Sequence, residues 1–91
     1  MSTLKNIRRK IAAGIYELTH HAESEKEADD LTTQDVECAI RYGRIVMTYA
    51  DDPRGPRYEI SGPARDGRKT HVVCRVLSDG MLRVLTIWVV E

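Results

Sequence analysis

A chain of 91 residues, of which 42% are hydrophobic, has room for one domain with one modest core and excludes a two-domain protein. Fourteen basic and fourteen acidic side chains give a formal net charge of +0, which argues against the overall positive field that drives non-specific nucleic-acid binding. Residues 1–40 carry five basic and eight acidic groups (net −3) and residues 41–91 carry nine and six (net +3), so only the second half could face a polyanion.

The first segment is predicted to form an amphipathic helix that ends at Gly14, with Ser2 or Thr3 as its cap. Its apolar residues recur at helical spacing, at Leu4, Ile7, Ile11, Ala12 and Ile15. Its remaining surface is basic, with Lys5, Arg8, Arg9 and Lys10. A basic strip of this kind can bind phosphates, but we interpret it as a solvated face or as a partner for the acidic segment that follows.

A second helix is predicted from His20 to about Asp30, after a short extended stretch at residues 15–18, with Thr19 as its N-cap. This helix is strongly acidic, and its apolar residues are limited to Ala22 and Ala28 inside it. We therefore predict that its neighbours hold it in place and that it is the most mobile element.

A third helix is predicted to begin after Thr32, because Thr32 and Asp35 match a capping box in which Asp replaces the usual Glu or Gln. Its buried stripe consists of Val36, Ala39 and Ile40. Gly43 is placed where a residue in the left-handed conformation would end the helix.

From residue 44 the hydrophobic period changes to two, which predicts four strands at residues 44–50, 57–62, 70–77 and 81–90. Asp79-Gly80 predicts a hairpin between the last two strands. The last run is apolar on both faces, as in a strand that lies inside a sheet. We therefore predict an α+β fold in which the N-terminal helices pack on one face of a four-stranded antiparallel sheet.

Cys38 and Cys74 lack the short spacing of a redox or metal motif. No apolar run approaches the length of a membrane span, and the first residues do not resemble a signal peptide. We therefore expect two reduced, buried thiols in a cytoplasmic protein that does not enter a membrane.

Four short motifs match a known family in order and spacing. They are residues 16–22 (YELTHHA), 31–36 (LTTQDV), 58–62 (YEISG), and the Asp79-Gly80 hairpin that ends in 85–88 (LTIW). From about residue 15 to the end, the chain resembles the family catalogued as domain of unknown function 4258 (DUF4258), with residues 1–14 as an additional N-terminal helix. The resemblance implies a RelE-like fold, which is grouped with the barnase-like and colicin-like ribonucleases.

The same resemblance implies a function and partners. Family members often resemble toxins of toxin–antitoxin pairs, which implies a small endoribonuclease that needs no metal or cofactor. Its partners would be an antitoxin protein and either RNA or the ribosome. Many members carry arginines one and two turns after the helix histidine, where this chain has Glu25 and Asp29. If those arginines bind RNA phosphates in the relatives, this chain lacks that contact.

Metal-independent RNA cleavage needs a base for the 2′-hydroxyl, a cation at the phosphate and an acid for the leaving oxygen. The predicted catalytic residues, which would share the sheet face, are His21, which matches the family histidine, Tyr58, which matches the aromatic of the second strand, and His71 and Arg75. The predicted phosphate-binding residues are Arg65, Arg68 and Lys69. His71 and Arg75 are four residues apart on one strand, so they lie on the same face about 13 Å from each other.

Most of these candidates also have a structural explanation. His21 can be a capping or packing residue, and Tyr58 can be a half-buried strand aromatic. The cluster of Arg65, Arg68 and Lys69 can be a solvated turn.

Two further alternatives bear on function. His21, Glu25 and Asp29 are spaced i, i+4, i+8, but because no second histidine follows at helical spacing we interpret them as a solvated acidic face and not as a metal site. The alternative to a ribonuclease is a non-catalytic protein-binding or regulatory module on the same fold, which the zero net charge and the two replaced arginines favour.

Overall fold

The computed structural model of the protein describes residues 2–90. In chain order it contains α1 (Thr3–Ala13), β1 (Tyr16–Leu18), α2 (His20–Ala28), α3 (Thr33–Tyr42), β2 (Arg44–Tyr49), β3 (Arg57–Pro63), β4 (Lys69–Val76) and β5 (Leu82–Val89). The α+β class and the three N-terminal helices are confirmed. Over the described residues, no helix is both long and apolar enough to cross a membrane.

The N-caps predicted from the sequence are present. The side chains of Ser2, Thr19 and Thr32 accept hydrogen bonds from the N–H groups of Lys5, Ala22 and Asp35. The Asp35 carboxylate in turn accepts the N–H of Thr32 at 2.8 Å, so the predicted capping box is complete. Gly14 has a left-handed φ of 74° and ends α1 as predicted. The second helix ends at Ala28, two residues before the predicted Asp30.

The sheet has one strand more than predicted. Its order is β1-β5-β4-β3-β2, with β1 parallel to β5 and every other pair antiparallel. The predicted four-stranded antiparallel sheet is therefore wrong, because β1 makes it a five-stranded mixed sheet. The extended stretch predicted at residues 15–18 is confirmed as β1, but three residues are too few to show a period of two, so the local sequence does not predict that it joins the sheet. The placement of the last strand inside the sheet is confirmed, since β5 lies between β1 and β4.

The helices cover one face of the sheet, and the core lies between the two layers. The core residues of the helices are Ile7, Ile11, Ala22, Val36, Ala39 and Ile40, and those of the strands are Ile60, Val72, Cys74, Leu82, Val84 and Ile87. Both cysteines are free thiols. Cys74 is 0% exposed, as predicted, whereas Cys38 is only half-buried, so the prediction of two buried thiols is wrong for Cys38.

Gly43 follows α3 for a reason that differs from the predicted one. Its φ of −90° and ψ of −170° are extended and not left-handed. A Cβ atom at Gly43 would lie 2.3 Å from the carbonyl oxygen of Ala39, and one at Gly62 would lie 2.0 Å from the same oxygen. The two glycines therefore allow the end of α3 to lie directly on β3.

Glu25 fixes α2 to the edge of β5. Its carboxylate accepts the Thr86 hydroxyl at 2.5 Å and the Ile87 N–H at 2.9 Å. The pairing of β1 with β5 ends at Val84, so Glu25 binds a backbone group beyond the region that β1 covers. The interpretation of the α2 carboxylates as a solvated face is therefore wrong for Glu25. The mobility of α2 stays a prediction.

Candidate active site on the helix-free sheet face

The sheet face opposite the helices carries two of the predicted catalytic residues. We call it the helix-free face, and it is formed by the side chains that alternate with the core residues of β2 to β5. One row of directly paired residues crosses it, with Arg44 on β2, Ser61 on β3, His71 on β4 and Trp88 on β5. The next row contains Met47, Glu59, Val73 and Thr86. His71 and Arg75 alternate with the core residues of β4 and share this face, as their spacing predicts.

A carboxylate holds the His71 imidazole, and an aromatic ring packs on it. Nδ1 of His71 lies 2.8 Å from Oε2 of Glu59, and the ring centroids of His71 and Trp88 are 5.1 Å apart. When Nδ1–H donates to the carboxylate, Nε2 keeps the lone pair. Nε2 is buried and has no hydrogen-bond partner among residues 2–90. A carboxylate that orients an imidazole in this way is the usual support of a histidine general base.

Tyr49 extends this pair into a row of three polar groups. Its hydroxyl donates to Oε1 of Glu59 at 2.9 Å, while Oε2 binds His71. The hydrogen bond to Glu59 is the main cause that raises the pKa of the Tyr49 hydroxyl. Tyr49 therefore stays a donor, and both carboxylate oxygens of Glu59 are occupied.

Asp52 binds the two arginines at the other end of the face. One of its oxygens lies 2.9 Å from Nε of Arg57 and 2.7 Å from a terminal guanidinium nitrogen of Arg75. Arg75 is 5% exposed and also donates to the Gly55 carbonyl at 3.3 Å. The backbone N–H of Arg54, followed by the charges of Arg75 and Arg57, lowers the pKa of Asp52. Arg75 is therefore buried with its guanidinium engaged by Asp52 and Gly55, which does not favour its predicted role at a phosphate.

Two other cations lie near His71: Arg44 in the same row and Lys69 two residues earlier on β4. Arg44, Ser61 and Lys69 line a shallow cleft with the backbone of Gly62. Ser61 is paired directly with His71, and neighbouring strands are about 5 Å apart. Within residues 2–90 the side chains of Arg44 and Lys69 have no ion-pair or hydrogen-bond partner. The cleft can therefore hold an anion such as a phosphate beside His71.

His21 lies near the margin of the helix-free face. It is 70% exposed, and its Nε2 is 3.3 Å from Oε1 of Glu25. The same carboxylate binds Thr86, which precedes Trp88 by two residues on β5 and is therefore about 7 Å from it. His21 is thus connected to this face through Glu25, without a direct contact to the His71 pair.

Tyr58 lies on the other face of the sheet. It is paired with Cys74 and packs against the core cluster on the helix side. The prediction that Tyr58 shares one surface with His71 and Arg75 is therefore wrong. Its structural explanation as a half-buried strand aromatic fits the fold.

The three predicted phosphate-binding residues do not converge. Arg68 donates to the carbonyls of Asp29 and Asp30 at 2.7 and 3.3 Å and pairs with Asp66, so it fixes the end of α2. The side chain of Arg65 lines a groove between α1 and α3. Of the three, only Lys69 lies beside His71.

No group of three or more His, Cys, Asp or Glu side chains is placed to hold a metal ion in the part of the chain that the structure describes.

The local sequence does not identify Glu59, Arg44, Tyr49 or Trp88 as site residues. Alternation shows which residues of one strand share a face with Glu59 or with His71. It does not give the register between β3 and β4, which brings the two side chains to 2.8 Å. A histidine and a glutamate at alternating positions of consecutive strands is the only signal that could have indicated the pair.

The comparisons with known proteins give one match. The family model described as "Domain of unknown function (DUF4258)" matches residues 18–89. No curated protein matches the chain. No solved structure matches it either. Because the matched segment covers most of the chain and includes α2, α3 and all four long strands, the protein belongs to the DUF4258 family.

Proposed function

We propose that the protein is a metal-independent endoribonuclease that uses His71 on the helix-free face as its general base. The observation that carries the proposal is the His71–Glu59 pair with an unpartnered Nε2. Lys69 lies two residues before His71 on β4, and Arg44 lies in the same row two strands away, on β2. A base next to a phosphate-sized cationic cleft is the minimum that phosphodiester cleavage through the 2′-hydroxyl needs.

Each side chain of the proposed active site has one role in the reaction. Nε2 of His71 takes the proton of a ribose 2′-hydroxyl, and the 2′-oxygen then attacks the adjacent phosphorus. The bond between phosphorus and the 5′-oxygen breaks, and the leaving oxygen takes a proton from water. The products are a 2′,3′-cyclic phosphate and a 5′-hydroxyl. Glu59 stabilises the imidazolium, while Arg44 and Lys69 bind the charge that develops on the phosphate oxygens.

This proposal changes the roles predicted from the sequence. His71 and Lys69 keep the predicted roles of base and phosphate ligand. Arg75 becomes a structural residue because Asp52 and Gly55 engage its guanidinium. His21 stays a candidate for substrate contact at the margin of the face, because it is exposed and connected to Thr86 through Glu25.

The resemblance to RelE-like toxins supports a biological setting for this activity. A small ribonuclease of this kind would act in the cytoplasm on RNA, free or on the ribosome, and would be inhibited by a cognate antitoxin protein. A RelE-like grouping of the fold belongs to the same proposal, since helices on one side of a sheet leave the other side free for RNA.

The second candidate is a non-catalytic binding module on the same fold. It is favoured by the ion pairs of Asp52 with Arg57 and Arg75, which engage both guanidinium groups within the fold. It is also favoured by the burial of Nε2 of His71, which a substrate reaches only after a side-chain movement.

RNA cleavage in the presence of EDTA distinguishes the two candidates. Purified protein is incubated with RNA, with and without ribosomes, and the 2′,3′-cyclic phosphate ends are counted by mass spectrometry. We expect His71→Ala to lower the cleavage rate by about 10²- to 10³-fold, because the base is lost. Glu59→Gln should lower it less, because the imidazole keeps a hydrogen-bonding neighbour.

His20→Ala is the matched control, because His20 is an exposed histidine of α2 that belongs to no proposed contact. Its rate should equal that of the wild type. His21→Ala tests the family histidine separately. Intact RNA with and without ribosomes would reject the ribonuclease and support the binding module.

A further inference from the structure

The helix side of the molecule has a positively charged groove between α1 and α3, which shares Tyr42 with the cleft of Arg44 and Lys69. We call it the basic groove. Its cations are Lys5, Arg8, Arg9, Arg41 and Arg65, and Glu37 is the one carboxylate among its lining residues. Apolar side chains, among them Ile11, lie between them, together with Cys38.

Among residues 2–90, positive charge exceeds negative charge in this groove, because five cations line it together with the single carboxylate of Glu37. Oε2 of Glu37 accepts the Tyr16 hydroxyl at 2.7 Å. Arg8 binds the backbone carbonyls of Ile40 and Gly43, and no carboxylate among residues 2–90 binds it. Within residues 2–90 the side chains of Lys5 and Arg65 have no hydrogen-bond or ion-pair partner. A chain of zero net charge thus concentrates uncompensated positive charge at one place.

An exposed aromatic residue also lines the groove. Tyr42 is 65% exposed, although it is a large ring at the end of α3. The guanidinium carbon of Arg41 lies 5.4 Å from the centroid of the Tyr42 ring. Aromatic rings and guanidinium planes are the groups on which unpaired bases stack, and backbone phosphates need cations beside them. An acidic protein segment would use the cations but would leave this stacking surface without a specific partner.

We propose that the basic groove binds single-stranded RNA, with Lys5, Arg41 and Arg65 at the phosphates and Tyr42 as a stacking surface. This binding does not depend on cleavage at His71, which lies on the opposite side of the sheet. Arg65 thereby keeps the phosphate-binding role predicted from the sequence, at a different surface. The basic strip of α1 is then more than a solvated face.

Salt-dependent RNA binding tests this inference. The probe is a fluorescein-labelled oligouridine of about 12 nucleotides, long enough for one such site and 2′-O-methylated so that no 2′-hydroxyl can react. Fluorescence anisotropy gives the affinity as a function of KCl concentration. The triple variant Lys5→Gln, Arg41→Gln, Arg65→Gln should bind at least about tenfold more weakly. Its slope of log affinity against log salt should fall by about 2, because each phosphate contact on a single strand contributes about 0.7.

Cys38 supplies a second measurement that reports position. Cys74 is 0% exposed, so Cys38 is the thiol that N-ethylmaleimide reaches in the folded protein. Oligouridine should slow the modification of Cys38 in the wild type and not in the triple variant. Circular dichroism melting verifies that the triple variant is folded.

A single-charge pair of variants provides the matched control. Arg65→Gln should weaken binding, whereas Arg54→Gln, which removes one exposed arginine from the β2–β3 loop, should not.

RNA affinity that is equal in the wild type and the triple variant, or Cys38 that stays unprotected, overturns the inference. Protection of Cys38 by a polyglutamate peptide but not by oligouridine also overturns it and assigns the groove to an acidic protein. Binding that depends on the groove, without cleavage of unmodified RNA, rejects only the proposed activity.

Discussion

Arg75 is a buried arginine on the helix-free face of the sheet. It lies on β4 four residues after His71, where an exposed arginine would be a natural phosphate ligand. In the fold it is 5% exposed, pairs with Asp52 at 2.7 Å and donates to Gly55. It therefore ties the β2–β3 loop to the sheet. Buried charges are tolerated only with such partners, so this arginine cannot be removed without leaving a carboxylate partly unpaired.

We expect Arg75→Ala to lower the free energy of unfolding by about 1–3 kcal/mol, because Asp52 stays half-buried and keeps only the Arg57 guanidinium and the Arg54 N–H as partners. Urea unfolding followed by circular dichroism measures the change. Arg83→Ala is the matched control, since Arg83 pairs with Glu17 where both side chains are about 44–45% exposed, and exposed pairs contribute little. Equal stability of Arg75→Ala and the wild type would contradict the structural role.

Among the elements, α3 has the best-defined N-terminus, and its cap also fixes a distant loop. One oxygen of Asp35 closes the capping box with Thr32, and the other accepts the N–H of Arg65 at 2.9 Å. The N–H of Thr32, followed by that of Arg65, lowers the pKa of Asp35 against the opposing effect of its burial. Because the folded pKa lies below the unfolded value, Asp35 stabilises the fold above the unfolded pKa. This stability is lost as the pH falls through the folded pKa.

Asp35→Asn should therefore destabilise the protein at neutral pH by about 1–2 kcal/mol, the usual value of a helix cap. The difference from the wild type should shrink as the pH falls below about 4, the ordinary pKa of an aspartate, because the carboxylate of the wild type then becomes protonated. Urea unfolding at a series of pH values measures it. The control is Asp51→Asn, an exposed aspartate for which the structure shows no partner within residues 2–90. A difference that stays constant down to acidic pH would contradict the assignment.

The acidic helix α2 shows how the fold uses Glu25. The family resemblance implies an arginine at position 25, whereas in this protein Glu25 binds Thr86 and the Ile87 N–H. Restoring arginine at position 25 would remove these hydrogen bonds and leave a strand N–H without its partner. Asp29→Arg is therefore the variant that adds a cation to α2 without breaking the contact with β5.

At the level of the whole molecule, the sheet separates two surfaces with different tasks. The helix side contains the core and the basic groove, while the helix-free face contains the His71 pair. The two cysteines lie in different parts of the helix side. Cys74 lies in the core, and Cys38 lines the groove. Burial raises the pKa of the Cys74 thiol to about 12, so it stays protonated and unreactive at neutral pH.

Cys74→Asp should unfold the protein or destabilise it by several kcal/mol, because an unpaired carboxylate would replace a thiol in the core. Cys38→Asp, the matched control, should fold with a melting temperature close to that of the wild type. Thermal melting followed by circular dichroism measures both. Similar melting of the two variants would show that the core is not on the predicted face of β4.

Local sequence patterns specify the helices, their caps, the change of period after Gly43 and the buried face of β4. These features depend on neighbours within a few residues, which a local pattern contains. The same patterns place His71 and Arg75 on one face, because alternation along a strand is local. The extended residues 16–18 become a strand of the sheet through tertiary pairing, since β1 exists through its contacts with β5.

The pairing of His71 with Glu59 and that of Arg75 with Asp52 likewise depend on strand register and loop closure. Such contacts join residues that are far apart in the chain, and no local pattern specifies them.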